Sequence, residues 1–209
     1  MGQGESGAKG RVKTTTIKGL WVAALLALTI LAHAAVPVYP VKVSENGRYF
    51  IDQKGEPVFW LGTTQWQLFR EFSLEDARRI LEKSKEKGFT FVQVMLTGVG
   101  DGTRTNIFGD KPWRDDNPLT PEEAYFKHVD AVIRIAREKN LVISMTLFHQ
   151  RHRKFVTVNN ARAWAKWVAQ RYKSIPNLVW KWRPRPRKSS FLSYAKSRRA
   201  FARATAVFI

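Results

Sequence analysis

The chain contains no cysteine, so disulfides, thiolate zinc sites and a cysteine nucleophile are all excluded. That absence leaves the compartment open. Acidic residues stop at Glu138, and the stretch from 139 to 209 has neither Asp nor Glu. Lys and Arg number 36 against 17 Asp and Glu, which gives a net charge of +19. Such an excess first suggests nucleic acid, because clustered basic side chains neutralise phosphates and release counterions. Its placement argues otherwise. Eight basic residues fall between Arg183 and Arg203, so the excess collects at one end of the chain instead of forming a face. The hydrophobic content of 44% is ordinary for a globular core, and 209 residues suit one domain.

One uncharged run stands out. Lys9, Arg11, Lys13 and Lys18 precede Leu20 to Ala32, and Ala32-His33-Ala34 follows. This is the three-part layout of a secretory signal with a small-x-small cleavage site. Residues 1–34 are therefore expected to be a signal peptide and 35–47 a linker, with export to the periplasm or the exterior. Two alternatives stand beside it. Roughly 18 apolar residues suffice to span a bilayer, so the run, stretched to Val38, could stay as an uncleaved membrane anchor; it could also be a chance apolar helix. An exported protein seldom meets nucleic acid.

Strand and helix signals alternate from Pro57 to Trp182. Arg48 to Ile51 and Pro57 to Leu61 read as two short strands around the turn Asp52-Gln53-Lys54-Gly55. A helix follows, with Ser73 as its cap, Asp76 three places on, and Leu74, Ala77, Ile80 and Leu81 on one face. Thr90 to Met95 is the next strand. Thr120 as cap, Pro121 and Glu123 then open a helix whose buried stripe would be Tyr125, Val129, Val132, Ile133 and Ala136. Leu141 to Phe148 is an almost unbroken apolar strand, as expected when both faces are covered. Asn160 can cap a third helix through Ala161, Trp164, Ala165, Val168 and Tyr172, and Asn177 to Trp182 is the fourth strand. Strict βα alternation implies right-handed crossovers and parallel pairing. Four such units make half of the eight that a closed (β/α)8 barrel needs, so an incomplete barrel is expected over 48–182.

The stretch Thr97 to Leu119 is far longer than the roughly 2 to 6 residues usual between strand and helix. In barrel enzymes these loops form the catalytic face, so a long one points to substrate contact. A disordered insertion is the alternative, although Ile107, Phe108 and Trp113 give the loop something to pack.

Several ordered motifs carry a family resemblance. They are Phe59-Trp60-Leu61-Gly62-Thr63-Thr64-Gln65-Trp66-Gln67-Leu68-Phe69, Asn106-Ile107-Phe108-Gly109, and Glu123-Ala124-Tyr125-Phe126-Lys127-His128-Val129-Asp130. Further on come Asn159-Asn160-Ala161-Arg162-Ala163-Trp164 and Arg171-Tyr172-Lys173-Ser174-Ile175-Pro176-Asn177-Leu178-Val179-Trp180. Over roughly 43 to 182 the chain resembles the N-terminal half of the apiosidase-like glycoside hydrolases. The resemblance implies a TIM barrel that hydrolyses glycosidic bonds in plant-type or other complex polysaccharide; no cofactor and no metal are expected. Two departures count. Thr63 stands where the family commonly has Asp, and Gln67 where an acid is common. The family also continues its fourth strand into Gly-Gly-Asp, whose Asp resembles an acid/base, and takes its nucleophilic Glu from a later strand. Here Trp182 leads into Arg183-Pro184-Arg185-Pro186-Arg187, so neither carboxylate has a counterpart and the catalytic residues are unknown.

Glycoside hydrolysis usually needs two facing carboxyl groups, one of them buried enough to hold its proton. Asp101, Asp110, Asp115 and Asp116 lie in the long loop, where a carboxylate is ordinarily solvated and a poor acid catalyst. Substrate contact is better placed on four other residues. Trp66, just after the first strand, could lie against a sugar ring. Gln93, inside the second strand, and Asn106, on a family motif, could each donate to and accept from hydroxyls. His149, at the end of the third strand, could bond substrate; with His152 it could in principle ligate a metal, but Arg151, Arg153 and Lys154 would repel the cation. His128 is expected to be packed.

Residues 183–209 lack Gly, Asp and Glu and show no amphipathic period. A shifted reading frame explains so sharp a change in mid-motif; a solvated tail or a basic arm for nucleic acid or anionic membrane are the alternatives. The leading expectation is thus a truncated, inactive glycoside hydrolase. A noncatalytic carbohydrate-binding remnant and a basic interaction protein are the competing ones.

Overall fold

The computed structural model describes residues 37–181 together with Met1. The expected signal peptide, the basic tail and Trp182 lie outside the described residues.

A small antiparallel sheet comes first. β1 (Lys42–Val43) pairs with β2 (Phe50–Ile51), and β2 with β3 (Pro57–Val58). Gly55, at φ 86°, closes the expected turn. Buried Asp52 organises it, its carboxylate accepting backbone N–H bonds from Val38 (3.0 Å), Lys54 (2.8 Å) and Glu56 (3.0 Å). These bonds, that from Val38 foremost, hold the carboxyl below its ordinary range.

The first barrel strand is a correction to the sequence reading, for it is not Pro57 to Leu61. That segment ends in the antiparallel sheet, and the first parallel strand is β4 (Gly62–Thr64). Trp60 turns between the two, packed against Phe50 (ring centroids 4.7 Å apart) and stacked on Phe91 (4.4 Å). Phe91 lies so close over Gly62 that any Cβ there would enter its ring. The strand therefore begins with glycine and has no apolar signature.

Three helix–strand pairs then follow in order. They are α1 (Leu74–Glu86), β5 (Phe91–Met95), α2 (Glu123–Glu138), β6 (Val142–Thr146), α3 (Ala161–Tyr172) and β7 (Leu178–Lys181). The sheet runs β4-β5-β6-β7, each neighbour parallel, the succession of a (β/α)8 barrel. Among the described residues the barrel is incomplete, with β4 and β7 at the edges.

Register assigns the side chains to two faces, because they alternate along a strand. Val92, Val94, Ile143, Met145 and Leu178 lie on the helix side, buried with Ala77 and Leu81 of α1. Against them pack Tyr125, Val129, Val132, Ile133 and Ala136 of α2, and Trp164, Ala165, Val168 and Tyr172 of α3. Both of these stripes are the expected ones, and each buried Val or Ile among them contributes about 1.5–3 kcal/mol. The opposite, more polar face carries Thr64, Gln93, Ser144, Thr146 and Lys181, interleaved with Phe91, Met95, Val142 and Val179. Lys181 donates across β6 to Gln93 Oε1.

Ser73 caps α1 as expected, its Oγ accepting the Asp76 N–H at 3.0 Å. Other details differ. Leu74, the first residue of α1, is 41% exposed and lies outside the core. Thr120 caps nothing; its hydroxyl donates to Arg114 O (2.8 Å) and Asn117 O (3.0 Å), closing the preceding loop, so α2 starts three residues later. Asn160 likewise holds the turn before α3 through Thr157 N and Phe155 O. The Glu123 to Asp130 motif finds its use on the outer layer. Arg171 of α3 forms two 2.8 Å bonds to Glu123 and a 2.7 Å bond to Asp130. Its guanidinium also lies over Phe126 and Trp167, at 5.6 Å and 5.4 Å.

Candidate functional site

The C-terminal ends of the parallel strands open into three loops, 65–73, 96–122 and 147–160, which together form a rim. The long second loop is packed, with Trp113 as its anchor. Trp113 is fully buried, edge-on to Trp164 (5.3 Å) and His152 (6.1 Å), and bridged to Pro121. Ile107 and Phe108, expected to share that work, are half or more exposed.

The other two loops are tied to one segment of the long one, Thr97–Gly102. On one side, Gln67 Oε1 accepts the Val99 N–H at 3.0 Å, and the buried Arg70 donates to Val99 O at 2.9 Å. Arg70 also pairs with Glu71 at 3.1 Å. Gly98, at φ 71°, passes so near that a Cβ would lie 2.6 Å from the Arg70 guanidinium, so glycine is required for both reasons. On the other side, His149 Nδ1 lies 2.9 Å from Gly100 O, and His152 Nε2 lies 3.3 Å from Thr97 Oγ1. His152 is buried, and desolvation first, then the nearby His149, pushes its pKa down to about 3. Neutral imidazole is thus the resting form.

The four residues expected to contact substrate are placed as follows. Trp66 lies half-buried in the turn after β4, its carbonyl accepting the Met95 N–H at 3.3 Å. Gln93 is buried on the polar sheet face beside Lys181. His149 is half-buried at the Thr97–Gly102 segment. Asn106 stands apart. Its Oδ1 accepts from Phe108 N and Asp110 N, both at 2.9 Å, and its Nδ2 donates to Asp110 at 3.2 Å, so the amide is engaged within its own turn. His128 is packed, as expected, edge-on to Phe108. Both ring nitrogens of His152 face protein groups, Thr97 and the His149 N–H, which leaves none for a cation.

None of the loop acids is a buried, protonated carboxyl. Bonds from the Thr103 hydroxyl (2.8 Å) and N–H (3.1 Å) hold Asp101 below its ordinary range, so it stays ionised and has no proton to give. Asp110 bonds Asn106, Asp116 pairs with Lys111 at 2.9 Å, and Asp115 is exposed. The polar sheet face carries no carboxylate among the described residues. Sequence reasoning missed Arg70, Glu71, Thr97 and Lys181. Arg70 leaves only a weak mark in the sequence, a cation within the largely apolar Leu68-Phe69-Arg70-Glu71-Phe72, because the glycine-punctuated segment it holds follows only after α1 and β5.

Comparison with known proteins agrees with this geometry. The family model "Apiosidase-like, catalytic domain" matches residues 44–182. No curated protein sequence matches the chain. A solved glycoside hydrolase superposes with a TM-score of 0.72 at 27% identity, over 81% of this chain and 39% of its own. A glycoside hydrolase family 5 protein from Bacteroides vulgatus gives 0.71 at 24% identity, over 81% and 38%. The endo-1,4-beta-mannanase from Rhizomucor miehei gives 0.58 at 12%, over 81% and 59%, a likeness of fold alone. The chain therefore spans well under half the length of the first two structures.

Proposed function

Since the chain belongs to the apiosidase-like catalytic-domain family of glycoside hydrolases, we propose that residues 48–182 are the front half of a barrel acting on complex, plant-type polysaccharide. In this reading the rim around Thr97–Gly102 binds carbohydrate, and the 209 residues do not hydrolyse it alone. The observation that carries the reading is the chemistry of the rim. It offers the imidazole of His149 and the indole of Trp66, above the amide of Gln93 and the ammonium of Lys181 on the strands, groups that hold sugar hydroxyls and rings, but among the described residues no facing pair of uncommitted carboxylates.

Affinity electrophoresis of the purified chain in gels containing pectic polysaccharide tests binding, and a reducing-sugar assay tests cleavage. Retardation without sugar release is expected. Trp66→Ala should weaken retention on the order of tenfold, the effect of about 1.4 kcal/mol of lost ring contact. Sugar released by the chain alone would overturn the inactivity, and unretarded migration would overturn the binding. Export belongs to the same proposal and rests on the basic-then-apolar start of the sequence. Expressed with its first 34 residues, the protein should appear outside the cytoplasm beginning at Ala35; a membrane-bound form that keeps Met1 would show an anchor instead.

A further inference from the structure

His149 and His152 sit in one turn, with ring centroids 5.8 Å apart, yet their surroundings demand opposite tautomers. The His149 N–H donates to His152 Nδ1 at 3.1 Å, so that nitrogen is bare and the His152 proton sits on Nε2, facing Thr97. For His149 the decisive neighbour is the Gly100 carbonyl, 2.9 Å from Nδ1. A carbonyl oxygen can only accept, so Nδ1 must carry the proton. The Arg151 N–H, 3.3 Å from Nδ1, and the capping contact of the His152 backbone N–H with the same side chain would need a lone pair there. They exclude the bond to Gly100, and the shorter contact decides, because two lone pairs at 2.9 Å would repel. Nε2 of His149 is then a pure acceptor on a half-buried ring.

The aim of the Gly100 carbonyl depends on the peptides just before it, and both polar groups of Val99 are held from the first loop. Gln67 Oε1 takes its N–H and Arg70 takes its carbonyl. The guanidinium is itself fixed, with a side chain 1% exposed and Gly98 packed against it. We infer that Gln67 and Arg70 are positioning residues for His149: by clamping Val99 they direct the Gly100 carbonyl at Nδ1 and leave Nε2 as a fixed acceptor for a carbohydrate hydroxyl. The role of that acceptor rests on the carbohydrate-binding reading above; the tautomer does not.

Long-range ¹H–¹⁵N spectra of the histidine rings in the full chain at neutral pH test the inference. In the unmodified protein His149 should show a protonated Nδ1 and a bare Nε2, and His152 the reverse. In Arg70→Met the His149 tautomer ratio should fall at least about tenfold, the weight of one hydrogen bond near 1.4 kcal/mol, while His152 keeps its signature as a report of the intact fold. Arg70→Lys should recover part of the ratio, and Gln67→Ala should lower it independently. An Nε2-protonated His149 in the unmodified protein overturns the inference. So does an unchanged ratio in the variants, or loss of both histidine signatures in Arg70→Met and Gln67→Ala alike, which would mark the clamp as merely structural. If the tautomers behave as expected but no polysaccharide is retarded, the carbohydrate reading fails and the positioning stands.

Discussion

Trp113→Ala is the sharpest test of the long loop as a packed element. A fully buried Trp cut to Ala ordinarily costs about 3–5 kcal/mol in lost contact and cavity. Here two corrections apply. The edge-on contacts with Trp164 and His152 add about 0.5–1.5 kcal/mol for a well-formed ring pair. Against this, the Trp113 indole N–H is buried without a partner, and deleting it relieves about 1–3 kcal/mol of desolvation. The balance is a loss of about 2–4 kcal/mol, a large part of the 5–15 kcal/mol typical of a whole domain. Urea denaturation followed by tryptophan fluorescence and circular dichroism should show the lowered midpoint. Limited proteolysis should cut between Thr97 and Leu119 faster than before. Phe108→Ala in the same loop is the control: at 58% exposure it should cost less than about 1 kcal/mol. Equal, small losses for the two variants would refute the anchor argument.

Gly62→Ala should destabilise by about 1–3 kcal/mol through overpacking against Phe91, and the Phe91→Leu background should relieve much of it; a neutral Gly62→Ala in thermal melts would show that the first strand lies elsewhere. His152 gives a pH dependence whose sign is fixed. Its folded pKa, about 3, lies below the unfolded value of 6.5, so the unfolded chain binds the extra proton and stability falls from pH 6.5 down to about 3, by on the order of 4 kcal/mol in all. His152→Gln should flatten that limb in pH-dependent urea titrations, and an equally steep limb in the variant would remove His152 as its source. Arg171→Ala should cost about 1–2 kcal/mol after allowance for its exposed partners, and Arg171→Lys should recover less than half, because an ammonium cannot reproduce the two-pronged bond to Glu123. Full recovery by lysine in a melt would show that charge alone matters.

The sequence was most legible where one face of an element is oiled and the other wet. The stripes of α2 and α3 could be read residue by residue because helices bury every third or fourth position. Boundaries were weaker, and for a physical reason. Thr120 and Asn160 have the chemistry of caps but spend it on the loops before their helices, a choice that depends on the chain path and leaves no mark on spacing. β4 escaped notice because Gly62-Thr63-Thr64 has no apolar residue to betray it; the constraint comes from Phe91, 29 positions on. The candidate site was half visible. Trp66 and His149 stand out as aromatic groups beyond strand ends and Gln93 as an amide inside an apolar strand, whereas Arg70 acts through a peptide 29 residues away, a pairing that only the folded chain displays.

A shared fastening point has a practical bearing on redesign. TIM barrels are often treated as bases onto which loops can be swapped one at a time. In this chain the first and third loops both hang on Thr97–Gly102 of the second, so transplanting any one of them from a relative strands the fasteners of the other two. Altered sugar preference on this scaffold calls for moving Gln67, Arg70, the glycine segment and the His149–His152 turn together, as one cassette.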